Sequence, residues 1–466
     1  MKKIIIVSII FTTFNLLAQQ KEYNYQEINT LLKDNSISSS LKVLEILKKE
    51  FINDSISATY WISHARASQT LYKSEKAKIS IEKAIQKDSL NAEIYYKKGV
   101  FYGNLKDPKT ALEAFNKAIL INPSMGVYYY NRAIINHQIY QFYEAENDYK
   151  KAIEYNFITA QLYNNYAKLL LEKGNYYKAL HQINNGISIN NNFYEAYKTR
   201  ATINYFLLNF DAACADKKIV IEKNPNSDIP LILSNKFCTI SKNKQLEIAA
   251  KSFIQNNSIP TYKQAIIAFT KLLKKENNNN PNYYLDRGFS YFNIGKYDKA
   301  NSDFDKAILS AKEKVALIYE NIISLYADNN KLDFALKYTN KQIAYNPKNH
   351  KAYNARGVIY LTMKKYKLAK KDFKNTLKIK SDFAVAHENI AILYLELSNY
   401  KKAKAHAQKA IDINENSGTA YFILGKTKYK LHITNYCDDF KKAKQLHNME
   451  ANTWLKLYCK KHATSK

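Results

Sequence analysis

One spacing recurs along most of this chain, because chemically similar residues return every 34 positions. An alanine and a large aromatic residue both keep this register through the first half of the chain. Chance does not hold two residue types in step in this way, so the chain is a tandem repeat. Units of such a chain bury their apolar faces against their neighbours rather than in one common core. The two series are Ala77, Ala111, Ala145, Ala179 and Ala213, and Trp61, Tyr95, Tyr129, Tyr163 and Tyr197.

Each period has the pattern of two helices. Apolar residues in the stretch 92–123 recur at three- and four-residue spacing on both sides of a polar break. Small residues such as Gly99 and Ala111 let the two helices approach closely, while Tyr95 and Phe115 fill the space beside them. The whole chain has only ten glycines and seven prolines, which disfavours hairpins and favours helices joined by short polar turns.

The pattern resumes out of phase after residue 240, where alanine returns at intervals of 34 or 35. The sequence therefore predicts an all-α chain of two arrays, residues 24–240 and 244–461. We expect units to start near residues 24, 58, 92, 126, 160 and 194, and then near 246, 281, 316, 350, 384 and 417. The second alanine series is Ala265, Ala300, Ala335, Ala369 and Ala403.

The order of a large aromatic, a small residue, Tyr, Ala, Phe, Ala and a closing Pro resembles the tetratricopeptide repeat. This resemblance implies a right-handed α-solenoid whose concave groove, lined by the first helices, holds an extended peptide or a partner's helix. These positions could instead be ordinary half-packed surface. By the resemblance, the groove candidates are Tyr96, Tyr130, Asn164, Lys198 and Tyr205, with Val100, Ile134, Lys168 and Thr202 one turn on, and in the second array Leu285, Phe289, Glu320, Asn354 and Glu388.

Four of the five arginines occupy one place in the unit, and each has an aspartate 16 residues later. Well-formed units without this arginine also lack the aspartate. Because the two places can face each other in an antiparallel helix pair, we interpret them as ion pairs within a unit, with a structural rather than a functional role. The predicted pairs are Arg132 with Asp148, Arg200 with Asp216, Arg287 with Asp303, and Arg356 with Asp372.

The four cysteines fall into two similar stretches. Cys238 follows Cys214 by 24 residues and Cys459 follows Cys437 by 22, with an expected turn between them in each case. A descending and a returning helix would bring each pair together, so we predict two disulfides that tie down the last helix of each array. Free buried thiols are one alternative. A metal site is the other, although C-x-x-C and clustered histidines are both missing from the sequence.

The first 18 residues have the layout of a secretory signal peptide. Two lysines precede an apolar run from Ile4 to Ala18, and a small residue stands before a polar start. The run is shorter than the roughly 20 residues that cross a bilayer, and we expect no membrane span in the mature chain. Export to the periplasm or full secretion is also consistent with disulfides, which persist outside the cytoplasm.

The net charge of +30 comes almost entirely from lysine, since only five of the 71 basic residues are arginine. Arginine is the residue that reads guanine and forks onto phosphate, so we predict no nucleic-acid partner. Phosphate loops, nucleophile elbows and zinc-helix motifs are missing from the sequence, and we expect no cofactor, no metal and no catalysis. The leading hypothesis is a non-enzymatic scaffold or adaptor of the bacterial cell envelope with a protein or peptide partner. The alternative is a binder of anionic polymer or lipid headgroups, and an enzyme comes third.

Overall fold

The computed structural model of the chain describes residues 24–50, 57–227, 234–275 and 279–459. Nearly all of these residues lie in helices joined by short turns, and the described ranges contain no strand. Within them, no helix has the length and apolar character needed to cross a membrane. The predicted signal peptide lies outside the described residues. The all-α prediction is confirmed.

The chain divides into two compact units, Met1–Ala268 and Phe269–Lys466. In the first unit the helices form successive antiparallel pairs, and those predicted to start near 58, 92, 126, 160 and 194 are confirmed. The helices are α1 (24–34), α2 (Ile37–Glu50), α3 (Ala58–Thr70), α4 (Ser74–Lys87), α5 (Ala92–Asn104), α6 (Pro108–Ile121), α7 (Gly126–Gln138), α8 (Phe142–Glu154), α9 (Ala160–Glu172), α10 (Tyr176–Ile189), α11 (Tyr194–Phe206), α12 (Phe210–Lys223), α13 (Asn235–Thr239), α14 (Lys242–Gln255) and α15 (Ile259–Lys275), which extends past the division.

The second unit repeats the same arrangement. Its first helices begin within one residue of the predicted starts at 281, 316, 350, 384 and 417. The helices are α16 (Pro281–Asn293), α17 (Tyr297–Ser310), α18 (Val315–Asp328), α19 (Leu332–Tyr345), α20 (His350–Thr362), α21 (Tyr366–Ile379), α22 (Ala384–Glu396), α23 (Tyr400–Ile413), α24 (Gly418–Lys430), α25 (Tyr436–Gln445) and α26 (Ala451–Trp454), followed by a π-helical turn, Leu455–Cys459.

Local chemistry explains where these helices start and stop. The Asn91 side chain accepts a hydrogen bond from the Glu93 amide at the start of α5. Asp107 does the same for Thr110 at the start of α6, where Pro108 fits the first turn. The tight turn within a pair needs one residue in the left-handed region, which Gly174 adopts with φ of 73°. These caps and turns set the length of each helix.

Close packing within a pair follows the predicted steric logic. A Cβ atom added to Gly99 would lie 2.6 Å from the Phe115 ring, so α5 and α6 approach closely only because residue 99 has no side chain. Gly357 meets Phe373 in the same way, at 2.5 Å. Ala111, on the facing helix of the first of these pairs, is fully buried.

The stack of the first unit continues past residue 240. Tyr205 on α11 shares a hydrogen bond with Ser252 on α14, their oxygen atoms being 2.9 Å apart, and its ring lies 5.5 Å from that of Phe253. Gln245 also donates to the Phe237 carbonyl oxygen at 2.9 Å. The predicted second array, residues 244–461, includes most of α14. The structure packs this helix on the first unit, where it covers an aromatic surface that would otherwise face water.

Candidate partner groove

The predicted groove residues lie on the first helices of successive pairs, which hydrogen bonds connect to one another. In each case a side chain bonds to the side chain 35 residues away, on the next first helix. The repeat of this bond fixes one first helix against the next and aligns their side chains in a row. The bonds run from Asn131 to Tyr96 (3.5 Å), Asn165 to Tyr130 (3.1 Å), Thr199 to Asn164 (2.7 Å) and Asn389 to Asn354 (3.0 Å).

Tyr96 and Tyr130 are half-buried, with their rings packed against the protein. The Tyr130 ring lies 5.0 Å from that of Phe157, and the Tyr96 ring lies 5.0 Å from that of Tyr128. Burial raises the pKa of Tyr130 to about 12, although the hydrogen bond from Asn165 acts in the opposite direction. Both phenols are therefore neutral at physiological pH and present an apolar face with a polar tip.

Two of the candidates have no surface to offer a partner. Asn164 and Tyr205 are fully buried. The oxygen of the Asn164 amide accepts from Thr199, and its nitrogen has no hydrogen-bond partner among the described residues. Tyr205 is covered by α14. The resemblance placed both residues in the groove, and the structure uses them to join neighbouring repeats instead.

The candidates in the second unit are all half-buried. Glu388 accepts a hydrogen bond from the Ser417 hydroxyl at 2.6 Å, and burial raises the pKa of its carboxyl group. This carboxylate is therefore engaged within the protein, as is the Asn354 amide through Asn389. The half-buried candidates are Tyr96, Tyr130 and Lys198 in the first unit and Leu285, Phe289, Glu320, Asn354 and Glu388 in the second.

A pocket of about 450 Å³ opens beside the predicted row in the first unit, and both Tyr96 and Val100 line it. Arg66 also lines this pocket. It occupies the place 34 residues before Val100, so the sequence contained the signal for it. Arg66 is not among the predicted groove residues, because that register was extended forward from residue 96 and not back into the preceding repeat.

The four predicted arginine–aspartate pairs meet in the structure, and each arginine also reaches back to the preceding repeat. Arg132 donates through Nε and Nη2 to Asp148 at 2.8 and 2.6 Å, and through Nη1 to Asn116 at 2.7 Å. We call this three-residue unit an arginine bracket. The others are Arg200 with Asp216 and Asn184, Arg287 with Asp303 and Thr270, and Arg356 with Asp372 and Asn340.

The aspartates of the brackets are almost completely buried, while the arginines remain partly exposed. Asn136 and Asn204 add a further hydrogen bond to Asp148 and Asp216. The carboxylate is thus fully engaged inside the repeat, which agrees with a structural role. The third partner, 16 or 17 residues before the arginine, was absent from the sequence analysis.

Repeats without a bracket fill the same places differently. His64 stands at the arginine place and its Nδ1 atom lies 2.8 Å from the Ser80 hydroxyl, 16 residues on. Lys98 instead pairs backwards with Glu82, at 2.7 Å. In the second unit His406 stands at the aspartate place, with its Nδ1 atom 3.0 Å from that of His387.

The cysteines lie in the pairs that the sequence suggests. The sulfur atoms are 2.05 Å apart in Cys214–Cys238 and 2.14 Å apart in Cys437–Cys459. The expected capping helices are much reduced, since α13 has five residues and α26 has four. No group of three or more His, Cys, Asp or Glu side chains in the described part of the chain could hold a metal ion.

Comparison with known proteins identifies the repeats. The tetratricopeptide repeat models match residues 92–125, 350–383 and 384–417. An uncharacterized protein of Methanocaldococcus jannaschii, MJ0572, is 54% identical over 43 residues, 9% of this chain and 50% of its own length. The uncharacterized protein ycf37 of Pyropia yezoensis is 29% identical over 144 residues, 29% of this chain and 74% of its own.

The chain thus spans about half the length of the first of these relatives. Among solved structures, yeast Tom70 is 17% identical and aligns with 86% of this chain and 95% of its own, with a TM-score of 0.35. The 34-residue period, the antiparallel helix pairs and the three matched segments agree with one another. The chain therefore contains tetratricopeptide repeats.

Proposed function

We propose that the chain is a non-enzymatic scaffold or adaptor of the bacterial cell envelope, which binds a peptide or a partner's helix along its first helices. Repeats of this type support a role in protein–protein interaction. The observation that carries the proposal for this chain is the pocket beside Tyr96 and Val100, on the row where a partner is expected. Half-buried aromatic and amide side chains on a rigid frame suit peptide capture.

The proposed cell-envelope location is based on two features, the N-terminal sequence and the cysteine pairs. Residues 1–18 have the layout of a secretory signal. Both cysteine pairs are at bonding distance, and such bonds persist in oxidising compartments. The two together support the proposal of a cell-envelope location.

The experiment is affinity capture from envelope extract with the oxidised mature chain, residues 19–466. Bound proteins are identified by mass spectrometry for the unaltered chain and for variants Tyr96→Ala and Tyr130→Ala. We expect a discrete protein that survives moderate salt and is lost from both variants. Tyr143→Ala is the matched control, because this tyrosine is 80% exposed on α8, away from the row. Thermal unfolding shows whether each variant remains folded.

The lysine excess favours one other function, a binder of anionic polymer or lipid headgroups. That function predicts capture of anionic material only, with affinity that falls steeply as salt is raised. Binding of this kind, equal in all three tyrosine variants, would contradict the groove and support the surface charge.

A further inference from the structure

Arg66 differs from every other arginine of the chain in what its side chain contacts. Each bracket arginine commits three of its donors, two of them to one aspartate and the third to an asparagine or threonine. Arg66 makes one hydrogen bond, from Nη2 to the Leu32 carbonyl oxygen at 3.4 Å, and no ion pair with any described residue. The guanidinium charge of Arg66 and most of its N–H donors are therefore available in the pocket that this residue lines.

The pocket combines this cation with an apolar wall. Ile62, Ile94, Val100 and Phe101 line it from α3 and α5. A group that enters is thus partly removed from water, where an arginine–carboxylate contact is stronger than on an open surface. Lys97 also lines the pocket, but its ammonium group is already paired with Glu93 at 2.9 Å. Of the two cations among the described residues that line the pocket, Arg66 is the one without an ion-pair partner.

Amide side chains flank Arg66 along the direction of the repeats. Asn35 belongs to the repeat before Arg66, and Asn104 belongs to the repeat after it, and both line the pocket. Gln69 lies on α3 itself. Amide groups are the usual partners of a peptide backbone, because each offers a donor and an acceptor. Their position on both sides suits a chain that continues in both directions past the arginine.

We propose that Arg66 receives the side-chain carboxylate of an Asp or Glu in an extended partner peptide, with an apolar neighbour of that residue against the half-buried Ile62 and Val100. The fork of Arg66 matches a carboxylate, as the four brackets of the same chain illustrate. This inference rests on the proposed function and adds the chemistry of the ligand to it: an acidic and apolar segment rather than any peptide.

The test uses the oxidised mature chain and a library of octapeptides that are acetylated at the N terminus and amidated at the C terminus, so that only side chains carry charge. The best binders are resynthesised with Gln for Glu or Asn for Asp, and affinities are measured by calorimetry in about 150 mM salt. Because bidentate charged bonds are the strong ones, we expect the acidic peptide to bind at least about tenfold more tightly than its amide counterpart.

Three variants locate the effect. Arg66→Gln should remove the preference for the acidic peptide, and Arg66→Lys should keep only part of it, because lysine lacks the fork. Lys117→Gln is the matched control, since it removes one charge from an exposed position on α6 of the same unit. The comparison of acidic and amide peptides on the unaltered chain needs no variant, so equal binding of the two overturns the role of Arg66 even where Arg66→Gln is unstable. Arg66→Lys, which keeps the charge, separates the fork from the charge alone.

The outcomes separate this inference from the proposed function. Peptide binding that depends on Tyr96 but shows no preference for the acid, or an equal loss in Arg66→Gln and Lys117→Gln, overturns the role of Arg66 and leaves the groove. A preference seen only with peptides that have a free C terminus overturns the side-chain carboxylate. A library without any binder overturns both proposals.

Discussion

The repeat around Arg132 and the repeat that contains His387 and His406 fill the same place between two helices with opposite chemistry. In the first, a buried aspartate accepts two bonds from an arginine and one from Asn136. In the second, two imidazole Nδ1 atoms meet at 3.0 Å. One Nδ1 atom must carry the proton that the other accepts, so at least one of the two imidazoles has to be neutral.

The difference teaches that this place accepts polar contacts of different charge. The bracket needs ionised partners, whereas charge on both imidazoles would break the histidine pair. Burial, together with the charges of His387 and Lys409, lowers the pKa of His406 to about 4. Burial and Lys409 lower the pKa of His387 as well. Both imidazoles are therefore neutral near pH 7.

Among the tests of this comparison, the loss of a bracket carboxylate should have the largest effect on the free energy of unfolding. Asp148→Asn should lower the free energy of unfolding by about 2–3 kcal/mol, because it leaves Arg132 beside a neutral group in a buried place. Urea unfolding gives the magnitude, and hydrogen exchange in α7 and α8 gives the location. Glu113→Gln, which alters an exposed carboxylate on α6, should change stability by less than about 0.5 kcal/mol.

If Asp148→Asn lowers the free energy of unfolding no more than Glu113→Gln does, the bracket does not stabilise the repeat. The comparison with the histidine pair would then have no energetic basis.

Acid should act on the histidine repeat in a defined window. A histidine whose pKa is lowered in the folded state contributes stability that is complete above the unfolded value of 6.5 and is lost as the pH falls towards about 4. Across this window, the free energy of unfolding of His406→Asn should fall by about 1 kcal/mol less than that of the unaltered protein. The expected difference is modest because the ring is only half-buried.

The measurement is urea unfolding from pH 7 to pH 4 for both proteins. Their difference isolates His406 from the carboxylates, which titrate in both. Curves of the same slope would show that the pair does not resist protonation. The groups that face it are Tyr394, whose ring stacks at 5.7 Å, and Lys409.

The smallest effect should come from the pair that resembles a bracket only in part. Lys98 and Glu82 lie 2.7 Å apart, but half of the Glu82 side chain faces water. Glu82→Gln should change the free energy of unfolding by less than about 0.5 kcal/mol, and raised salt should remove even that. A loss as large as that of Asp148→Asn would show that burial of the carboxylate is not what distinguishes the bracket.

Periodicity predicted the helices well because every repeat faces the same steric problem. Gly99 and Phe115 meet as the pattern predicted. The spacing of 34 placed the first helices within one residue, except that α14 begins at Lys242 rather than near 246. The aspartate partners of the arginines could be found for the same reason. The asparagine 16 residues before Arg132, Arg200 and Arg356 was equally visible, but it lies in another repeat.

The groove was harder to predict, since exposure depends on the neighbour and not on the repeat itself. Tyr205 was predicted to be a groove residue, yet α14 covers it. Asn164 is enclosed by the hydrogen bond to Thr199. The pattern within one repeat does not indicate which neighbour packs on it. The burial of these two residues could therefore not be predicted from the sequence.

The residues that the arginine brackets span determine where the chain could gain or lose a whole repeat. The brackets of Arg132 and Arg200 extend 16 residues to either side of the arginine, so that of Arg132 ends at Asp148 and that of Arg200 starts at Asn184. The residues between them include 150–183, which is one full period of 34. Removal of that segment would join α8 to α10 in register and leave both brackets intact. The gain or loss of one repeat at this point therefore spares both brackets, although it removes the bonds of Asn165 to Tyr130 and of Thr199 to Asn164. The array can grow or shrink here without breaking a bracket.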